Sequence, residues 1–147
     1  MNSTSPSQTT GWLLSTRGWA TLLALYWITL FALTHWPGNP IVAYRQGTST
    51  DKLAHTASYA VLALLVAWVV WLARRGTTRP WGVWHAASVW LGLAFYGALD
   101  ELTQPLTGRH CDFYDWVADV VGVTLGLAFF SLVALGLRSK PDSAPPQ

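Results

Sequence analysis

Lys52, His55 and Tyr59 follow one another at i, i+3 and i+7, which sets an ammonium, an imidazole and a phenol on one face of a helix. Asp51 lies four residues before His55, within reach of it. Further along, Tyr96, Asp100 and Gln104 recur every four residues with Glu101 alongside, and Asp112, Asp115 and Asp119 repeat the i, i+3, i+7 pattern. Paired acids with a histidine can do general acid–base work, and carboxylate oxygens can hold a divalent cation. Lys52 and Arg109 can grip phosphate or carboxylate, Arg109 bidentately. The chain has seven acidic residues, and five of them (Asp100, Glu101, Asp112, Asp115 and Asp119) fall within one stretch of twenty. The fixed cations nearest to them in sequence pattern are Lys52 and Arg109, with His55 and His110 as optional additions. Such an imbalance implies that an acid holds a proton or that the cluster takes up a cation.

These groups must be positioned by apolar elements. Of 147 residues, 52% are hydrophobic and 11% charged, and ten are Trp; soluble domains carry roughly 25% charged residues. Four runs have the ~17–25 residues needed to cross a bilayer: 19–36, 53–72, 81–99 and 116–137. The third is short and carries His85 and Ser88. The expected fold is therefore all-α, a polytopic membrane bundle of four transmembrane helices in one domain over 17–138. The polar, Pro/Ser-rich tails 1–16 and 139–147 are expected to be disordered. The first run has one basic residue before it, Arg17, and no small-x-small cleavage pattern after it, so it reads as a retained helix rather than a signal.

Cytoplasmic flanks are enriched in Lys and Arg. Arg17, Arg74, Arg75, Arg79, Arg138 and Lys140 fall on one side of such a bundle, and Arg45, Lys52 and Arg109 on the other. Both termini are thus expected inside, with the acid-rich connection facing out. Trp12, Trp19, Trp36, Trp81, Trp84 and Trp116 lie near span ends, as an interfacial aromatic belt requires. A net charge of +2 gives no sign of nucleic acid, and the single Cys111 cannot form an internal disulfide.

Asp115 and Asp119 sit one to two turns into the fourth helix, and Ala118, Gly122 and Gly126 continue the same face. Small residues at that spacing let another helix approach closely, so the acidic face is also the packing face. A charge near the bilayer centre costs on the order of 3 kcal/mol, which favours a compact network of Lys52, His55, Asp100, Glu101, Arg109, Asp115 and Asp119 pointing into the bundle. Such a network can act as interhelical glue, as a site, or as both. His35 and His85 read as packed or interfacial residues, and His110 and Cys111 as loop residues.

In these positions the chain resembles the VanZ-like family of small bacterial membrane proteins. The resemblance rests on Lys52-x-x-His55-x-x-x-Tyr59, then Tyr96-Gly97-x-x-Asp100-Glu101-x-x-Gln104, Gly108-Arg109, Asp115, Asp119, Gly122 and Gly126. Thr56 and Leu106 stand where the family commonly has aromatics, Asp119 where many members have Asn, and Asp112 where a small hydroxyl residue is common. The resemblance implies a multi-pass protein of the bacterial cytoplasmic membrane. It also implies a link to resistance against teicoplanin and lipoglycopeptides, drugs that act on cell-wall precursors at the outer leaflet. The first expectation is a protein that binds or modulates an envelope component, a lipid head group or cell-wall precursor, through Lys52, His55, Tyr59, Tyr96, Asp100, Glu101, Gln104, Arg109, Asp115 and Asp119. One alternative is an enzyme acting on a lipid-linked substrate by acid–base or metal-assisted chemistry, although no nucleophile motif, HExxH or phosphate-binding glycine loop occurs. The other is a proton- or cation-coupled transporter, which would require a second copy or a rearrangement, because the inner halves of the helices lack polar residues. No cofactor is expected beyond a divalent cation, whose ligands would be drawn from Asp100, Glu101, Asp115 and Asp119.

Overall fold

The computed structural model describes residues 15–36, 47–75, 77 and 81–138. The expectations for the tails before residue 15 and after residue 138, and for Trp12, Arg45, Arg79 and Lys140, lie outside the described residues. Four helices appear in order: α1 (Thr16–His35), α2 (Ser49–Ala73), α3 (Val83–Thr103) and α4 (Phe113–Arg138), with a 3-10 turn at Gln104–Thr107. α1, α2 and α4 are each long and apolar enough to cross a membrane. At 21 residues α3 is as long as α1, and its charge is confined to its C-terminal turn.

All four helices extend past the apolar runs that announce them, α1 by starting at Thr16 after the Ser15 side chain accepts the Gly18 N–H. α2 starts at Ser49 because Thr48 accepts a hydrogen bond from the Asp51 backbone N–H at 3.3 Å. α4 starts at Phe113 because the Asp112 carboxylate accepts one from Tyr114 N–H at 2.8 Å. α3 runs on to Thr103 before Pro105 tightens the chain into the 3-10 turn, which Gly108 closes in the left-handed region at φ 82°. His85 accepts a hydrogen bond from Gly82 N–H at the start of α3, an end-capping duty away from the acids.

The chain runs up and down. The end of α1, the start of α2, the end of α3 and the start of α4 share one end of the bundle, where Thr34 meets Asp100 and Lys52 meets Asp115. At the opposite end Trp19 packs on Trp68 with ring centroids 5.6 Å apart, and Trp81 meets Phe130 edge-on at 4.9 Å. The largest interface is between α2 and α4. Glycines explain its closeness: a Cβ on Gly126 would come 2.5 Å from the Ala60 carbonyl oxygen, and one on Gly122 would strike the Thr56 carbonyl. The apolar core, including Leu62, Ala63, Ala67, Leu93, Val123, Leu127 and Phe130, lies along this seam.

Outside the seam the helices are greasy. Leu22, Ile28, Phe95, Phe129 and Leu132 are exposed, and α1 buries only Gly18. Water does not tolerate contiguous apolar area of this extent on a monomer; lipid does.

Candidate functional site

At its polar end the bundle buries ionisable and phenolic side chains, where the far end buries aliphatic and aromatic ones. Asp51, His55, Tyr59, Asp100, Glu101, Gln104, Asp115 and Asp119 are all buried there. By helical rise of about 1.5 Å per residue, His55 and Asp119 lie roughly 9 Å inside the first residues of their helices.

The outermost tier joins α2 to α4. The Lys52 ammonium donates to Asp115 at 2.8 Å and to Asp112 at 3.1 Å, and it lies 5.6 Å from the Tyr114 ring centroid. Asp115 is fully buried, while Lys52 and Asp112 keep about a third of their side chains open, 34% and 28%. The Tyr114 N–H and the Lys52 ammonium hold the Asp112 carboxyl below the usual aspartate range. One turn deeper, His55 Nδ1 and Asp119 Oδ1 are 2.9 Å apart. Below them the Tyr59 and Tyr96 rings stack with centroids 6.1 Å apart.

The α3 acids are held differently. Gln104 Nε2 donates to Glu101 at 2.9 Å and to Asp100 at 3.3 Å, and the backbone N–H of Asp112 donates to the other Glu101 oxygen at 3.0 Å. Acids in a helix's last turn oppose its dipole, so α3 alone does not favour Asp100 and Glu101; their neighbours compensate. One such neighbour was not foreseen from the sequence. His35 Nδ1 lies 3.7 Å from Asp100, its Nε2 contacts Thr103 Oγ1 at 2.9 Å, and Thr34 Oγ1 donates to Asp100 at 3.4 Å. α1 therefore closes the fourth side of the cluster. A signal existed: His35 ends the first apolar run, on the same side as the acids. Asp112 also carries more than its sequence reading suggested, as a partner of Lys52.

Arg109 departs from expectation. Its carboxylate clamp is not formed: Nη1 donates to the Thr34 carbonyl at 3.0 Å, and no carboxylate among the described residues lies within ion-pair distance. The reason is local. Gly108 turns the chain so that Arg109 N–H meets the Gln104 carbonyl, which sends the side chain to the end of α1, where unpaired carbonyls attract a cation. Its Nε is buried with no hydrogen-bond partner among the described residues.

Among the described residues, two groups bring ligand atoms within 4.8 Å of one another: Asp51, His55 and Asp115, and His55, Glu101 and Asp119. The four acids expected to supply cation ligands therefore divide. Asp115 belongs to the first group, Glu101 and Asp119 to the second, and Asp100 to neither. His55 is common to both.

No curated protein and no solved structure matches the chain significantly. The model of one family, VanZ/LLP1, matches residues 3–134, a span that contains every residue of the polar cluster. With nearly its whole length matched, helices suited to a bilayer and the ionisable residues gathered at one end, the chain belongs to the VanZ/LLP1 family.

Proposed function

We propose that this protein sits in the bacterial cytoplasmic membrane with both termini inside, and that the polar end of its bundle binds an anionic envelope component at the extracytoplasmic face. The ligand class is a phosphate- or carboxylate-bearing lipid head group or cell-wall precursor. The observation that carries this reading is Arg109. Its guanidinium is partly buried beside a field of acids, yet it spends one hydrogen bond on a backbone carbonyl and has no acid partner among the described residues. Remaining N–H groups of a guanidinium suit phosphate or carboxylate oxygens. Lys52, with its head partly open at the same end, adds a second positive charge, though its two acids neutralise much of it.

The test is lipid retention by the purified protein in nanodiscs, comparing phosphatidylglycerol, a polyprenyl-pyrophosphate-linked precursor and a zwitterionic lipid. The two anionic lipids should be retained over the zwitterionic one, and Arg109→Ala should weaken retention at least tenfold, about 1.4 kcal/mol, with the thermal midpoint little changed. Equal retention of the zwitterionic lipid, or an unaffected Arg109→Ala variant, rejects the reading.

A further inference from the structure

Beneath the rim the chemistry changes sign. Asp119 Oδ2 and Gln104 Oε1 have no hydrogen-bond partner among the described residues, and both residues are 0% exposed. The Gln104 amide cannot be turned to relieve this, because flipping it would set its oxygen against Glu101 and Asp100, where its nitrogen now donates. The Tyr59 hydroxyl is likewise unpartnered on a residue 1% exposed. Its ring carbon Cε1 and Asp119 Oδ2 both lie 3.3 Å from the point where a Cβ on Gly97 would sit, so the Tyr59 ring and the orphan carboxylate oxygen border the same glycine. Buried acceptors are rarely left unsatisfied in native proteins. The bare acceptor oxygens of Asp119 and Gln104, with no lysine or arginine ion-paired to Asp100, Glu101 or Asp119 among the described residues, suit a positive ligand.

We infer that His55, Glu101 and Asp119 form a binding site for a divalent transition-metal cation such as Zn²⁺ or Mn²⁺, with the Tyr59 hydroxyl and Gln104 Oε1 facing the ion's remaining ligands. One imidazole nitrogen and two carboxylates are a donor set for these ions, and three protein ligands leave a coordination position open. The three ligand atoms lie within 4.8 Å of one another. Adjacent ligands of a common ion, each about 2.0–2.2 Å from it, lie about 3–3.6 Å apart, so closure draws the three side chains together by about an ångström. The ion replaces the hydrogen bond between His55 Nδ1 and Asp119 Oδ1, now 2.9 Å apart. The neighbouring group of Asp51, His55 and Asp115 is the poorer site: Asp115 already holds the Lys52 ammonium, and Asp51 accepts the Gly47 N–H at 3.1 Å.

This site is independent of the anion reading at the rim, and Arg109→Ala should leave it intact. Chelator-stripped protein in detergent, dialysed against Zn²⁺ or Mn²⁺ alone, should retain about one ion per chain with a raised thermal midpoint. Asp119→Asn and Glu101→Gln should weaken binding at least tenfold, and Asp51→Asn should not. Should either charge-removing variant fail to fold, Co²⁺ added to the unaltered protein gives a second readout, since its visible absorption bands intensify when it leaves six-coordinate water for a protein site of lower coordination number. A folded protein that takes up neither ion and gives no Co²⁺ bands overturns the inference. So does binding that is lost in Asp51→Asn but kept in Glu101→Gln and Asp119→Asn.

Discussion

Lys52 holds two acids at once, but the two contacts are unequal. Asp112 is open enough to be rehydrated when the ammonium goes, whereas Asp115 is 1% exposed and is not. Lys52→Met keeps the apolar stem and strands a buried carboxylate, so stability should fall by about 1.5–3 kcal/mol, the usual worth of a hydrogen bond to a charged group. Adding Asp115→Asn should recover part of that loss, with a coupling of about 0.5–3 kcal/mol; denaturant titration of the single and double variants in detergent measures both. Asp112 makes a prediction about pH. Its folded carboxyl titrates below the usual aspartate range, so its charge stabilises the fold above the unfolded value and that contribution fades as pH falls through the folded value. Asp112→Asn keeps an oxygen for the Tyr114 N–H and removes the charge facing Lys52. The gap in thermal midpoint between the two proteins should therefore be open at pH 7 and close below about pH 4; a gap that widens on acidification contradicts the assignment.

At the scale of elements, the acids and the glycines of α4 belong to one stripe, and that stripe was legible in the sequence. Asp115, Ala118, Asp119, Gly122 and Gly126 recur at helical spacing, and all are buried. The glycines set how near α2 comes, and the acids are buried because the glycines bring α2 close. Gly122→Ala or Gly126→Ala drives a methyl into backbone atoms of α2 that cannot swing aside, and should cost about 1–3 kcal/mol or more. Gly136→Ala, with nothing within 4 Å of the added carbon, should be neutral or slightly stabilising through helix propensity. Equal effects at the three positions, read from unfolding titrations, would refute the close-approach account. Helix ends were less legible, since apolar runs stop at the first charge while the helices continue through it. Hydropathy has no means of seeing that Thr48 and Asp112 cap helices or that Gln104 holds Asp100 and Glu101. The place of Arg109 was hidden for a related reason: charge arithmetic pairs it with acids, and only the left-handed turn at Gly108 reveals that it faces the end of α1. His35 was passed over because spacing within a helix says nothing of contacts between α1 and α3.

The whole molecule is polarised end to end, and that polarity can be tested against the membrane. The aromatic end carries Arg17, Arg74 and Arg75, with Arg75 stacked over Trp71 at 3.9 Å and none ion-paired to an acid among the described residues. The other end buries its acids and ties Lys52 to two of them. Cytoplasmic retention is governed by positive charge near short connections, and the basic residues of the aromatic end should be the ones retained. Cys111, the only cysteine in the chain, is exposed in the connection between α3 and α4, at the polar end. It is a native reporter that needs no engineered residue. A membrane-impermeant maleimide should label it in intact spheroplasts, and Cys111→Ser should abolish the signal. A cysteine placed at Thr77, on the connection between α2 and α3 at the opposite end, in a Cys111→Ser background should react only after lysis. The reverse pattern would put the cluster at the cytoplasmic face and reject the extracytoplasmic placement of the proposed function, while leaving the buried cation site untouched.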